Sequence, residues 1–369
     1  MIEKGRLSTR QIAILMFIFL LGESVLIYPS VITALAKQDA WLVSLAALPF
    51  GVMVVWILLR LHRKYPDQNL IQISHTVLGK WFGSILSLWY LFFFYISTAL
   101  FIRQIGDFLN TQYFSNTPLR IIILLFIGIL IWGVSAGIEP LGRTAEIMFP
   151  FLLLAFTFLV IFLLPQSEFT ELKPIMEAEP LAILHTIFVV ISYPFGQSVV
   201  FSMLFPLVNK QSHMGRDVLV MAAAAGLLLT IILLTSLLVL GSFLSESTIY
   251  TTFFLAKKVS IGDFLQRMEA ILTTAWIVTT FFKTVLYYYA SILGTAQLFK
   301  LNSYQSLIWV VALIFFGLSI VVSPDMEYYV SDFISSWTLW DLTSGLVIPL
   351  LLLILPAWSL RKKVKANKH

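Results

Sequence analysis

The stretch Phe19–Ser30, FLLGESVLIYPS, decides how the chain is read. It lies inside an apolar run long enough to cross a bilayer, which takes about 20 residues as a helix. Yet it sets Gly22, Glu23 and Ser24 in a row and follows them with Pro29. Glycine weakens a helix because its backbone is too free, proline because it lacks a donor and clashes with the preceding turn. Membrane helices carry such interruptions where the freed backbone groups meet protein, water or a ligand. The stretch therefore predicts a spanning helix broken near mid-bilayer, with a carboxylate at the break.

A second interruption of the same kind lies further along, in VISYPFGQSVVF, where Pro194 and Gly196 break another apolar run. Around these two points the composition is that of a polytopic helical membrane protein. Of 369 residues 59% are hydrophobic, 15% aromatic and only 12% charged, against about 25% charged in soluble domains. Ten spans are predicted, at about 11–36, 40–60, 81–109, 119–136, 143–164, 181–208, 217–243, 263–298, 305–322 and 337–360. Corresponding spans of the two halves start about 170, 177, 182 and 186 residues apart, so five spans repeat as five. An odd number of spans per repeat inverts the second copy. Paired broken helices in two such halves point to a binding site at the midplane.

The basic residues set the expected orientation. With the N-terminus inside, the inner set is Lys4, Arg6, Arg10, Arg60, Arg63, Lys64, Lys80, Arg143, Lys210, Arg216, Lys300, Arg361, Lys362, Lys363, Lys365 and Lys368. The outer set is Lys37, Arg120, Lys173, Lys257 and Lys258, a roughly threefold asymmetry that puts both termini in the cytoplasm. The outer loop 165–180 is acidic, and the inner stretch 65–79 is amphipathic enough to lie along the membrane surface. The whole chain, 1–369, is expected to form one transmembrane domain with halves at about 11–164 and 181–360. The first apolar run reads as a retained helix, because no small-residue cleavage site closes it. The tail 361–369 reads as a basic cytoplasmic anchor near anionic lipid, with no soluble domain appended at either end.

Several function classes drop out. The chain has no cysteine, which excludes disulfide scaffolds and thiolate chemistry. The histidines His62, His75, His185, His213 and His369 are scattered, with none at metal-ligand spacing. No phosphate-cradling loop, nucleophile elbow or HExxH motif is present. The net charge of +5 sits in loops and at the C-terminus, as membrane topology asks rather than nucleic acid. The reading is no enzyme, no cofactor and no metal.

The pieces KGRLSTRQIAILM, GESVLIYPS, YLFFFYISTALFIRQIGDFL, TPLRIIILLFIGILIWGVSAGIEPLGRTAEI and RMEAILTTAWIVTTFF, in that order and spacing, resemble the endospore germination permeases. These are the membrane-embedded B subunits of spore germinant receptors, within the amino acid–polyamine–organocation superfamily. The resemblance covers nearly the whole chain. It implies an all-α LeuT-type 5+5 inverted repeat with broken first and sixth helices. It also implies a role in sensing amino acids or sugars at the spore inner membrane, beside an A subunit and a lipoprotein C subunit. Relatives often read Gly-x-Gly at the first break; here the positions are Gly22, Glu23 and Ser24, which puts a purely neutral pocket in doubt.

Half-helix ends offer unpaired N–H and C=O groups to a polar ligand. The candidate ligand-binding residues are accordingly Gly22, Glu23 and Ser24 from the first span and Ser192, Phe195, Gly196 and Gln197 from the sixth. Phe195 is expected to cap the pocket. Lys283 lies well inside the eighth span, too far from either end to snorkel easily. It is expected to pair with Glu23, since the eighth span lies beside the first in the LeuT-type arrangement, or to stand in for a bound sodium ion. Thr279 and Thr280 precede it and are candidates to line the same cavity, although threonine hydroxyls more commonly bond their own helix. Arg103 and Asp107, four residues apart, share a helix face as an outward-side pair or gate element, and Tyr95 is a candidate to face the pocket.

The leading function is a germinant-sensing subunit that binds a small-molecule germinant from outside and shifts a conformational equilibrium read by its partners. The alternatives are a secondary amino-acid transporter working by alternating access, which shares the fold, and a scaffold or ion-conducting subunit without a small ligand.

Overall fold

The computed structural model describes residues 5–209, 213–259, 268–325, 328 and 334–356. The tail 361–369, the residues Lys4, Lys210 and Arg267, the first residues of the expected eighth span and much of the 323–336 connection lie outside the described residues.

The first helix starts on a capping box. Ser8 Oγ accepts from the Gln11 N–H at 3.1 Å, and Gln11 Oε1 accepts from the Ser8 N–H at 2.9 Å. Two of the donors that every helix start leaves unpaired are thereby used. The helix runs Thr9–Leu21 and stops at Gly22, whose φ of 26° and ψ of −131° lie on the side of the map that favours glycine. A second helix, Ser24–Ala36, completes the first crossing. The expected break is thus a true interruption of the backbone.

Among the described residues, eight helical stretches are long and apolar enough to cross a bilayer, and two shorter apolar helices, Thr9–Leu21 and Leu307–Val321, accompany them. The 41-residue stretch Ser24–Lys64 divides at the 3-10 turn Lys37–Asp39 into the end of one crossing and the whole of the next. Ten crossings result among the described residues. The second is Ala40–Lys64, the third occupies Leu70–Gln112 beyond Gly79, the fourth is Leu119–Ala136 and the fifth Ile138–Leu163. The sixth begins at Pro180–Val190, passes through a π-turn at Ile191–Phe195 and a 3-10 turn at Gly196–Val200, and ends near Leu207. The seventh lies in Met214–Ser247, the eighth is Met268–Leu298 and the ninth Leu307–Val321. The tenth joins Ile334–Leu342 to Ile348–Ile354 through a second π-turn, Thr343–Val347.

Some boundaries shift for local reasons. The fifth crossing starts at Ile138, not near 143, because Gly137 at φ 90° turns the chain in a single residue. Arg143 is therefore helical and pairs with Glu139 one turn earlier, at 2.6 Å. The amphipathic stretch before the third crossing is a helix capped by Asn69 and Gln72 and set off by Gly79. A short helix, Thr251–Lys258, lies at the matching place between the seventh and eighth crossings.

The crossings pack as two groups. The first, second, sixth and seventh lie against one another, while the third, fourth, fifth, eighth and ninth form a second layer. The first crossing also touches the fifth and eighth, and the tenth leans on the second and sixth. Over its most apolar stretch the sixth crossing is 89% buried and the fifth only 28%. Trp132, Phe151 and Leu313 are exposed on the fourth, fifth and ninth, which suits a surface wetted by lipid rather than water.

Arg103 and Asp107 tie the third crossing to the ninth. Arg103 Nε donates to both Asp107 oxygens, at 2.9 and 2.8 Å, and Nη1 donates to the carbonyls of Ser319 and Ile320, at 3.5 and 3.2 Å. Nη2 donates to the Pro324 carbonyl. The guanidinium thus caps the C-terminal end of the ninth crossing, where carbonyls lack helical partners. Arg103→Ala is expected to lower stability by about 3–5 kcal/mol, because it strands a buried carboxylate. Arg103→Lys should recover little, since an ammonium lacks the planar fork. Denaturant unfolding of the purified protein reads both outcomes.

Candidate functional site

The broken first and sixth crossings meet the eighth crossing at one buried ion pair. Lys283 Nζ lies 2.9 Å from Glu23 Oε1 and 2.8 Å from Oε2. It also donates to Gln197 Oε1 at 2.5 Å, and Gln197 Nε2 donates to Asp341 Oδ2 at 3.1 Å. A chain of four side chains from the first, eighth, sixth and tenth crossings results: Glu23, Lys283, Gln197 and Asp341. None is more than 3% exposed, so the cluster is shut off from bulk solvent in this conformation. The rings of Phe19 and Phe101 stand 4.9 and 5.0 Å from the Lys283 ammonium, and that of Tyr193 stands 5.8 Å away. Aromatic faces and a carboxylate together make a cage that suits a cation.

The backbone groups released at the first break are taken up by neighbours. Thr279 Oγ1 donates to the Gly22 carbonyl at 3.1 Å, Trp276 Nε1 to the Glu23 carbonyl at 3.4 Å, and Thr252 Oγ1 to the Val25 carbonyl at 2.7 Å. A membrane interior demands this accounting, because an unsatisfied carbonyl has no solvent to turn to. At the sixth break Tyr287 Oη donates to the Gln197 carbonyl at 2.8 Å. The tenth crossing presses backbone against backbone here. A Cβ on Gly196 would sit 3.0 Å from the Asp341 carbonyl oxygen, and a Cβ on Gly345 would run into the Gly196 carbonyl. Gly345→Ala is therefore expected to push the tenth crossing off the sixth and lower the unfolding midpoint, an effect that overpacking puts at about 1–3 kcal/mol.

The candidate residues divide clearly. Gly22, Glu23, Gln197, Thr279 and Lys283 come together, with Gly196 beside Gln197 and Asp341. Ser24 and Thr280 are fully buried, and their hydroxyls have no partner among the described residues. Ser192 turns its hydroxyl to its own helix, at the Val189 carbonyl 2.9 Å away. Phe195 does not cap the cluster. Its ring fills the space that Gly51 on the second crossing and Gly226 on the seventh leave open. Tyr193 takes the aromatic place beside Lys283 instead. Tyr95 lies elsewhere, with its hydroxyl 3.2 Å from Thr295 Oγ1 and its ring against Phe315. Asp341 is the residue that sequence reasoning missed; the signal was a lone carboxylate in the apolar stretch SSWTLWDLTSGLVIPL.

Both ends of the bundle are closed over this cluster. At the end bearing the N-terminal segment, Leu7 N–H donates to the Leu207 carbonyl at 3.0 Å and Asn209 N–H to the Leu7 carbonyl at 2.9 Å. Arg6 Nη1 donates to the Pro206 carbonyl at 2.9 Å, and Gln11 Nε2 to Glu146 at 3.1 Å. A pocket of about 710 Å³, lined in part by Arg6, His62, Arg63 and Asn209, opens beside this latch. At the opposite end the Asp39 carboxylate accepts from the Met176 and Ala178 N–H groups, at 2.7 and 3.1 Å, and Lys37 pairs with Glu246. Phe108 packs there against Trp276, Tyr250 and Phe253, with ring centroids 4.7, 4.9 and 5.2 Å away.

Comparison with known proteins agrees with this architecture. Residues 6–326 match the family model described as spore germination protein, and the chain belongs to that family. Spore germination protein KB of Bacillus subtilis is 28% identical over 99% of this chain and 98% of its own. Spore germination protein YndE of the same organism is 22% identical over 97% of this chain and 98% of its own. In fold the chain is similar to Mhp1, a nucleobase-cation-symport-1 family transporter solved in a closed conformation with bromovinylhydantoin bound. The TM-score is 0.67 at 12% identity, over 94% of this chain and 78% of the other.

Proposed function

We propose that this member of the spore germination protein family is the solute-sensing membrane subunit of a germinant receptor. It binds a small polar nutrient, an amino acid or a sugar, between the broken first and sixth crossings. It works in the spore inner membrane with both termini cytoplasmic, beside an A subunit and a lipoprotein C subunit. The observation that carries the reading is the convergence of both breaks on one buried polar cluster, Glu23–Lys283–Gln197, inside an otherwise apolar bundle. Intramembrane ionisable groups are costly and mark ligand or ion paths. The latch of Leu7 with Leu207 and Asn209 and the Asp39 and Phe108 closures are elements that binding would have to bias, because a solute shifts a conformational equilibrium only by its differential affinity for the two states.

A second reading, a transporter completing alternating access, draws on the likeness to Mhp1. Two assays separate them. Spores lacking this gene should lose the response to one nutrient of a panel and keep the others. Vesicles holding this chain alone should take up no labelled nutrient in a saturable way. Uptake without any loss of nutrient response would reverse the order of the two readings.

A further inference from the structure

Two carboxyl groups and one ammonium share the buried cluster, so one carboxyl group is left without a cationic partner. Glu23, Lys283 and Asp341 interact electrostatically with one another, and all three are at most 1% exposed. Lys283 is committed to Glu23, with both Glu23 oxygens within 2.9 Å of its Nζ. Asp341 receives the neutral amide donor Gln197 Nε2 through Oδ2. The Trp337 side chain, one turn earlier, also interacts with this carboxylate. Oδ1 nevertheless has no partner at hydrogen-bond geometry among the described residues. A buried carboxylate in that state is expensive unless a proton or a cation joins it.

The surroundings fit an incoming group. Asp341 stands two residues before the π-turn Thr343–Val347, and that turn packs on the break of the sixth crossing through Gly345 and Gly196. Single-turn π segments inside helices are frequent at functional sites. The described residues hold no cluster of three acidic or histidine ligands, so the site suits one positive charge and not a multivalent metal.

We propose that Asp341 accepts a single positive charge brought from outside the chain, either the ammonium group of the bound solute or an alkali cation that accompanies it. Gln197 transmits its arrival. The incoming cation competes with Gln197 Nε2 for the carboxylate, while Gln197 Oε1 remains on Lys283. The sixth crossing is thereby released from the tenth and held to the eighth. This inference rests on the reading that a solute binds between the broken crossings, and it names the group that selects the solute.

The test uses the full chain in lipid nanodiscs, titrated with a panel of L-amino acids, their N-acetyl derivatives and glucose, in potassium, sodium or choline chloride. If the ammonium is the source, an amino acid binds equally in all three salts, and N-acetylation or Asp341→Asn weakens it about 100-fold. If an alkali ion is the source, binding collapses in choline and Asp341→Asn removes that dependence on the salt. Without ligand, Asp341→Asn should unfold at a temperature equal to or above that of the parent chain, because a buried carboxyl group without a cationic partner is gone. The proposal is overturned if N-acetylation and choline leave binding unchanged, a comparison that needs no variant, or if Asp341→Asn binds as the parent does. A solute bound without regard to charge or salt, yet lost on Gly22→Val, would overturn this inference alone. Absence of binding by every probe would overturn the underlying reading with it.

Discussion

Replacing Lys283 with methionine is expected to destabilise the protein by about 3–5 kcal/mol, the range for stranding one partner of a buried ion pair. The ammonium is fully buried and is held by Glu23 at 2.8 Å and Gln197 at 2.5 Å under three aromatic rings. Methionine fills similar space but leaves the buried Glu23 carboxylate with no counter-charge. The double variant Glu23→Gln with Lys283→Met should recover most of the loss, since removing both charges removes the desolvation penalty as well. Unfolding of purified protein in nanodiscs reads the cycle. Two additive single losses would mean that the two residues act independently, against the geometry.

Gly22→Val is expected to abolish nutrient response, at least 100-fold in germinant sensitivity. Gly22 sits at φ 26°, where side chains are strained. A Cβ there would stand 2.5 Å from Lys283 Cδ and 2.8 Å from the Phe19 carbonyl oxygen. The substitution would drive the Lys283 stem off the break and with it the ammonium from Glu23. Spores carrying the variant, assayed for response and for the amount of protein in the membrane, separate a lost site from a lost protein. Normal protein level with normal sensitivity would contradict the role given to the break.

Much of this architecture is legible in the chain because membrane insertion punishes exceptions. Glu23 and Lys283 stand out as charges in apolar runs, and their pairing across 260 positions follows once the first and eighth crossings are neighbours. The breaks announce themselves through Gly22 and through Pro194 with Gly196. Phe195 was harder. Its direction depends on how far the backbone rotates through the π and 3-10 turns at residues 191–200, and no helical period applies there. The small residues Gly51 and Gly226, distant in sequence, then decide where the ring goes. Tyr95 is on the regular third crossing, but which face of that helix meets the sixth is set by packing. Asp341 carried the same signal as Glu23. It sits among Trp337, Trp340 and hydroxyl residues, a composition shared with membrane interfaces, so its depth does not follow from the sequence.

The most direct test of the central claim, that the breaks of the first and sixth crossings form the nutrient site, uses the chain's lack of cysteine. In Ser24→Cys a single thiol replaces a hydroxyl that is fully buried beside Glu23 and has no partner among the described residues. Its rate of modification by a small thiol reagent would be measured in membranes with and without the nutrient whose response depends on this gene. The account predicts slow modification that the nutrient changes at least tenfold, while sugars and amino acids that evoke no response leave it unchanged. A rate indifferent to that nutrient, with the nutrient response of the variant intact, would contradict it.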